Sequence, residues 1–290
     1  VVTGFGKDVG EPLVAHPKVR KVAFTGGELS GQRVYETAAK GLKKVSLELG
    51  GKSPNIVFDD ADLDDAVLGA VSGIFAATGQ TCLAGSRLLV QDSIHDAFVD
   101  KLVGIASKAR MGDPSKPGTE VGPVATLPQY EKVLSYIDVA NQEGAKLLAG
   151  GAKGTAPECG DGWFVEPTIF SEVTSKMRIA QEEVFGPVLS IIRFREEEEA
   201  IAIANDTIYG LAAGVWTKDM ARAFRMTKAI HAGTVWVNTY RALSYMSPFG
   251  GYKQSGIGRE NGAEMIREYM QTKSVWINIG AEVADPFVQR

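Results

Sequence analysis

The sequence predicts an α/β fold whose strands are mainly parallel. Short runs rich in β-branched residues alternate with longer amphipathic stretches, a pattern typical of parallel sheets flanked by helices. The 33 glycines fall in short clusters beside the predicted strands, where tight turns and close backbone approach to ligands are common. A chain of 290 residues with 44% hydrophobic residues is also long enough to form two domains.

The predicted elements follow one another with few interruptions. A strand over 19–26 precedes a helix over 28–41, and Asp62 is placed to cap a long apolar helix that begins at Leu63. Further helices are predicted over 93–110, 128–145, 195–206 and 218–230. Further strands are predicted over 43–51, 56–60, 87–91, 188–194, 211–217, 233–238 and 272–280. The last strand is expected to pair at a sheet edge or across a subunit interface.

Charge and composition exclude several classes of partner. The net charge of −4 gives no electrostatic reason to expect nucleic acid or an anionic membrane surface as a partner. Because no stretch approaches 18 uncharged apolar residues, no membrane span is expected. Two cysteines make no disulfide framework, and their number favours a reducing compartment, which we take to be the cytoplasm.

Cys82 is the candidate nucleophile. Small residues on both sides, from Gly79 to Gly85, leave room for a substrate carbonyl and free backbone N–H groups for a developing oxyanion. The residues alone leave open that Cys82 is a small buried hydrophobe. Cys159 lies in a polar loop and is not expected to react.

No histidine is placed to serve Cys82 as a base. The three histidines are His16, His95 and His231, and each is expected at the surface. A general base is therefore sought among carboxylates. Glu48 ends an apolar strand against Gly50 and Gly51, where burial would raise its pKa toward neutrality. A strand-end glutamate paired with a lysine or arginine is the alternative.

Two further segments have a pattern suited to cofactor binding. Residues 24–31 run from a strand through Gly26 and Gly27 to Gly31 at a helix start, where backbone N–H groups can receive a pyrophosphate. Glu183 and Phe185 precede a Gly-Pro turn, where a carboxylate can accept ribose hydroxyls and a phenyl ring can pack on a flat ring. A plain turn is the alternative for each segment.

Taken together, these segments resemble the aldehyde dehydrogenase superfamily over essentially the whole chain. The matching runs, in order, are VAFTGG, LELGGKSPNIVF, GQTCLAGSR, EEVFGPV, YGLAAGVWT, AGTVWVN and SPFGGYKQSGIGRE. The resemblance implies that Cys82 attacks an aldehyde to give a thiohemiacetal and that hydride then passes to NAD or NADP. It also implies that Glu48 activates the water that hydrolyses the resulting thioester, and that the N–H of Cys82 forms half of the oxyanion hole.

The resemblance also implies where the cofactor binds. Glu183 would hold the nicotinamide ribose, Phe185 would pack beside the nicotinamide, and the backbone of Leu49 would hold the carboxamide. With the glycine-rich turn, the implied cofactor-binding residues are Gly26, Gly27, Gly31, Leu49, Glu183 and Phe185. No metal is expected. The family usually has serine at position 27, so Gly27 removes one hydroxyl contact to the cofactor phosphates.

The resemblance implies a domain organisation as well. Residues 1–50 correspond to the C-terminal part of a Rossmann-like cofactor domain and residues 51–254 to a catalytic domain. Residues 255–290 return to the cofactor domain and end in an oligomerisation strand, since family members are commonly homodimers or homotetramers. The chain is expected to lack about the first two-fifths of a typical member. Lys52 is interpreted as structural.

Two alternatives to this activity are considered. A non-catalytic or inactive truncated protein on the same scaffold is the first alternative. The acylating subgroup that uses coenzyme A is the second, and Glu48 argues against it.

Arg241 is expected near the aldehyde entrance. There it would hold the acid of a semialdehyde or, alternatively, point to solvent or to a neighbouring subunit.

Overall fold

The computed structural model describes residues 1–288, which contain two separate β-sheets. The strands, numbered β1 to β10 in chain order, are Lys21–Thr25, Lys44–Glu48, Pro54–Val57, Arg87–Gln91, Lys146–Ala149, Thr168–Ser171, Val188–Phe194, Ala212–Trp216, Thr234–Val237 and Gly256–Ile257. The α-helices, numbered α1 to α9, are Glu11–Ala15, Glu28–Ala39, Leu63–Phe75, His95–Ala106, Leu127–Gln142, Arg178–Gln181, Glu197–Asn205, Met220–Ala229 and Gly262–Glu268.

The smaller sheet has the order β1-β2-β10 and the larger one the order β5-β6-β7-β4-β3-β8-β9. All strand pairs are parallel except those that β10 makes with β2 and β5 makes with β6. The predicted α/β fold with mainly parallel strands is therefore confirmed. None of the helices in residues 1–288 is both long and apolar enough to cross a bilayer.

The large sheet is buried on both faces, as parallel sheets generally are. Adjacent residues of β3 and β4 belong to different apolar clusters, because successive side chains of a strand point to opposite faces. Ile56 and Leu89 pack on one face with α5 and α7, while Val57 and Leu88 pack on the other with α3 and α4. The large sheet therefore forms the centre of the two main apolar clusters.

Helix α3 begins where the sequence predicted and ends early. The Asp62 carboxylate accepts a hydrogen bond from Asp65 N–H (3.2 Å), as a helix N-cap does. The apolar pattern continues to Thr78, but Ala77 and Thr78 have φ values of +54° and +56°. That left-handed backbone ends the helix after Phe75 and starts the loop that carries Cys82.

Within the described chain, residues 272–280 do not form the predicted edge strand, and pairing of this segment across a subunit interface stays a prediction. The segment follows α9 in sequence and forms no strand pairing with any described residue. A strand is defined by hydrogen bonds to a partner, and periodicity in one segment cannot supply the partner. The short helices α1, α6 and α9 were not predicted from the sequence.

Candidate active site

The candidate active site lies between the carboxyl end of β2 in the small sheet and the amino ends of β4 and β7 in the large sheet. Glu48 is the last residue of β2, at the carboxyl end of the small sheet. Cys82 and Glu183 lie in the connections that enter β4 and β7 at the amino end of the large sheet. Pairing of Pro54 with Arg87 in parallel register brings the amino ends of β3 and β4 together. Residues 49–53 directly connect the end of β2 to the start of β3.

The Gly50–Gly51 turn brings three predicted site residues together. The N–H of Gly51 donates to Oε1 of Glu183 (3.0 Å). A Cβ atom on Gly50 would lie 2.7 Å from Oε2 of Glu183, and one on Gly51 would lie 2.5 Å from the carbonyl oxygen of Cys82. The neighbour of Gly51 is backbone, so only glycine permits that approach, whereas a side chain at position 50 would displace the Glu183 carboxylate.

Cys82 is half-buried and its thiol is not activated at rest. Burial, followed by the negative charges of Glu183 and Glu48, raises the pKa of the Cys82 thiol above its ordinary value. The backbone N–H groups of Leu83 and Cys82 act in the opposite direction, because they stabilise a negative sulfur. A nucleophilic thiolate at this position therefore needs a base that takes its proton.

Glu48 is a buried carboxyl group without a hydrogen-bond partner. Its side chain is 4% exposed, and neither carboxylate oxygen has a partner among the described residues. Burial first, and then the charge of Glu260, raises the pKa of Glu48 to about 8, while Arg259 lowers it. Glu48 forms no ion pair in residues 1–288, so the alternative of a strand-end glutamate paired with lysine or arginine is not observed.

The raised pKa of Glu48 predicts a specific dependence of stability on pH. Between about pH 4.5 and 8 the folded protein keeps a proton on Glu48 that the unfolded chain releases. The free energy of unfolding of the wild type should therefore fall across this window relative to that of Glu48→Gln, which has no charge to bury. Denaturant unfolding at several pH values measures the difference, and curves that stay parallel from pH 4.5 to 8 would contradict the burial of an unpaired carboxyl.

The glycine-rich turn between β1 and α2 presents backbone rather than side chains. Gly26 and Gly27 are exposed, and Gly27 precedes α2 without any side-chain cap on the helix. A Cβ on Gly27 would meet no atom within 4 Å. Gly31 is buried under Leu49, whose Cδ2 would lie 2.5 Å from a Cβ at position 31. The exposed start of a 12-residue helix therefore offers free N–H groups to an anion.

The remaining predicted cofactor residues lie beside this turn. The N–H of Leu49 is taken by the carbonyl of Ser255 (2.9 Å). Phe185 is half-buried in left-handed backbone (φ +58°), and its carbonyl accepts from the side chain of Gln129 (2.9 Å). Oε2 of Glu183 accepts no hydrogen bond from the described residues. An exposed helix start and a carboxylate oxygen with no protein donor fit a dinucleotide with phosphates and ribose hydroxyls.

Two buried basic groups lie near or behind the site, and the sequence did not predict the burial of either. Lys52 is 1% exposed, its Nζ has no hydrogen-bond partner in the described residues, and burial lowers its pKa to about 7. Arg87 is fully buried and donates to the carbonyls of Lys52, Ile203 and Ala204. Its guanidinium therefore ties the start of β4 to the end of α7, a role that the tripeptide Ser-Arg-Leu does not reveal.

The expectation of a surface position is wrong for His95. His16 and His231 are exposed, whereas His95 is buried at the start of α4 with its Nδ1 2.9 Å from the Asp96 carboxylate. Cys159 is also buried, although its sequence neighbours are polar. No group of three or more His, Cys, Asp and Glu side chains suited to a metal occurs in residues 1–288.

Comparison with known proteins identifies the family. The sequence model described as the aldehyde dehydrogenase family matches residues 1–275. The chain belongs to the aldehyde dehydrogenase family. The betaine aldehyde dehydrogenase of Mesorhizobium japonicum is 48% identical over 287 residues, and an aldehyde dehydrogenase of Emericella nidulans is 48% identical over 281 residues. These matches cover 99% and 97% of the chain, and 58% and 56% of the relatives.

Solved structures of aldehyde dehydrogenases have the same fold. Betaine aldehyde dehydrogenase from Staphylococcus aureus, in complex with NAD+, superposes with a TM-score of 0.97 at 43% identity over 99% of this chain and 57% of that chain. A putative aldehyde dehydrogenase from Burkholderia cenocepacia gives a TM-score of 0.95 at 46% identity over 98% and 58%. The chain thus spans a little under three-fifths of the aldehyde dehydrogenases it matches.

Proposed function

We propose that the protein oxidises an aldehyde to a carboxylic acid with NAD(P)+, through a covalent intermediate on Cys82. The observation that carries this proposal is the convergence of Cys82 and Glu48 at the Gly50–Gly51 turn. The backbone carbonyl of Cys82 packs against Gly51, three residues after Glu48, whose buried carboxyl has no hydrogen-bond partner among the described residues and whose charge acts on the Cys82 thiol. Family membership supports the same reaction.

In the first half of the reaction the Cys82 thiol must lose its proton. Glu48 is the proposed acceptor in its ionised form, whose share grows as the pH rises toward the Glu48 pKa of about 8, and a carboxylate of that basicity can take the proton of a thiol. The sulfur then adds to the aldehyde carbon to give a thiohemiacetal. The N–H groups of Cys82 and Leu83, which stabilise negative charge at the sulfur, are the proposed donors to the new oxyanion.

The second half of the reaction needs a hydride acceptor and then water. When bound, NAD(P)+ would supply the hydride acceptor that converts the thiohemiacetal into a thioester. Once Glu48 has released the thiol proton to solvent, its carboxylate, with no partner for either oxygen among the described residues, is free to take a proton from a water molecule. The hydroxide adds to the thioester carbonyl, the carbon–sulfur bond breaks, and the acid leaves with Cys82 restored.

For this chain we propose that Glu183 orients the cofactor through a ribose hydroxyl. Its Oε1 is fixed by Gly51 N–H, while Oε2 lies beside Gly50 and accepts no hydrogen bond from the described residues. The exposed N–H groups at the start of α2 would bind the phosphates, and Phe185 would pack beside the nicotinamide ring. The NAD+ complex of the similar Staphylococcus aureus enzyme supports NAD+ as the first cofactor to test.

Glu183→Gln is expected to slow hydride transfer about tenfold or more, because a small misplacement of reacting groups is costly. Single-turnover formation of NADH measures this step. Glu182→Gln is the matched control, since that neighbouring carboxylate pairs with Arg178 and Tyr136 rather than with the Gly51 turn. Equal hydride-transfer rates in the two variants would show that Glu183 does not orient the cofactor and only stabilises its turn.

The substrate class follows only in part from the relatives. Several of the most similar proteins are betaine aldehyde dehydrogenases, so betaine aldehyde is the first substrate we propose. A screen of NAD+ and NADP+ reduction with aliphatic, aromatic, amino- and carboxy-aldehydes tests it. A higher kcat/KM for any other aldehyde in that screen would replace betaine aldehyde.

We further propose the domain limits at residues 50 and 255, a homodimer or homotetramer, and a cytoplasmic location. The large sheet lies wholly between residues 54 and 237, which supports the limits. Val275, Trp276, Ile277 and Ile279 are 69–96% exposed, which supports an interface through this segment. Both cysteines are unpaired, which suits a reducing compartment. Light scattering of the protein tests its assembly.

A further inference from the structure

The loop that carries Cys82 has an unfavourable backbone. Ala77, Thr78 and Gly79 are three successive residues with positive φ (+54°, +56° and +68°). Residues other than glycine rarely adopt this conformation, and such segments persist only where surrounding structure holds them. The position of the thiol therefore depends on contacts that the loop makes with other parts of the chain.

One set of contacts holds the loop before it reaches Cys82. Thr78 Oγ1 donates to the carbonyl of Gly122 (3.2 Å). The side chain of Gln80 donates to the carbonyl of Pro123 (3.4 Å) and accepts from Ala125 N–H (2.9 Å). These bonds fix positions 78 and 80 but leave the residues on either side of the sulfur without an anchor.

A second set of contacts comes from two consecutive residues after β9. The hydroxyl of Tyr240 donates to the carbonyl of Leu83 (3.0 Å), and Tyr240 is buried. Nη1 of Arg241 lies 3.3 Å from both the carbonyl of Ala76 and Oγ1 of Thr81. Leu83 and Thr81 are the two sequence neighbours of Cys82, so the dipeptide contacts the loop on both sides of the nucleophile.

Arg241 itself adopts a conformation that serves this contact. Its φ of +66° is unusual for arginine and directs the side chain toward the loop while Tyr240 stays in the core. The neighbouring residues Leu243, Tyr245 and Met246 are 60–83% exposed, whereas Arg241 is half-buried. The guanidinium therefore neither points to solvent nor lies among the exposed residues of its own segment.

We propose that Arg241 is a positioning residue that, together with Tyr240, clamps the loop on both sides of Cys82 and so sets the reactive position of the sulfur. The proposal rests on the proposed role of Cys82 as nucleophile. It differs from a carboxylate-binding role for Arg241, because the contacts that define it are to the loop.

The test compares Arg241→Met with Arg193→Met, a control in which a surface arginine paired with Asp92 and Asp96 is lost. Arg241→Met should lower both kcat with an uncharged aldehyde and the rate of Cys82 alkylation by iodoacetamide about tenfold or more, with a smaller change in KM. Arg193→Met should change neither rate. Low millimolar guanidinium chloride should restore part of the activity of Arg241→Met, which a collapsed loop would not allow.

A double-variant cycle then isolates the contact. If Arg241 acts through Thr81, the combined variant with Thr81→Val should be no slower than Arg241→Met alone. Unchanged alkylation and turnover in Arg241→Met, while Cys82→Ala is inactive, would overturn the clamp and leave the proposed function intact. A change confined to the preference for a carboxy-aldehyde would also overturn it, because that result makes Arg241 a substrate receptor.

Discussion

Replacing Cys82 by alanine is expected to lower aldehyde-dependent NAD+ reduction by about a thousandfold or more. The variant loses the only sulfur that lies at the Gly50–Gly51 turn in the described chain, and with it the covalent intermediate. Steady-state NADH formation at saturating aldehyde measures the loss. Unfolding curves of the variant should stay close to those of the wild type, since Cys82 is only half-buried.

Cys159→Ala is the matched control for this experiment. Cys159 is the other free thiol, and it is more deeply buried than Cys82. Its replacement should cost some stability through a small cavity and leave kcat near the wild-type value. Turnover that survives in Cys82→Ala, or that disappears only in Cys159→Ala, would rule out Cys82 as the nucleophile.

Glu48→Gln should separate the two halves of the reaction. Acylation should continue in part, while deacylation slows about a hundredfold or more because the water has lost its base. Rapid mixing with aldehyde and NAD+ should then show a burst of NADH of at most one equivalent per site, followed by slow turnover. The amide has nearly the same shape as the carboxyl, so the variant should fold.

The pH dependence of the wild-type deacylation rate tests the same role of Glu48 independently. Glu48 acts as a base only when it is ionised, and its pKa is about 8. The deacylation rate should therefore rise with pH up to about 8 and level off above it, and Glu48→Gln should lack this rise. A variant that turns over at the wild-type rate, with no burst, would remove Glu48 from the chemistry.

The sequence was sufficient to predict the parts of the site that depend on local pattern. The apolar strand before Glu48 predicted a buried carboxyl, which the structure has, whereas the room for a substrate predicted from the small residues around Cys82 stays a prediction, since Leu83 and Ala84 are buried. The strand limits were predicted to within a few residues wherever hydrophobic runs were bounded by glycine or proline, as at Val188–Phe194. In each case neighbours in sequence provide the environment.

Features that depend on distant partners were not predictable in the same way. Arg241 contacts a loop 160 residues earlier in the chain, and nothing in its own neighbourhood identifies Ala76 and Thr81 as its acceptors. Lys52 and His95 are buried because other elements cover them, although charge and polarity favour the surface for both. The segment 272–280 has the composition of a strand but finds no partner strand in the described chain.

The most direct measurement of the central claim is mass spectrometry of Glu48→Gln, quenched in acid after the NADH burst. The proposed mechanism predicts an acyl group on the peptide that contains Cys82, in an amount that matches the burst, and none on the peptide that contains Cys159. The adduct should disappear on treatment with hydroxylamine, which cleaves thioesters. A full burst with no acyl group on the Cys82 peptide would contradict the claim that Cys82 carries the intermediate that Glu48 hydrolyses.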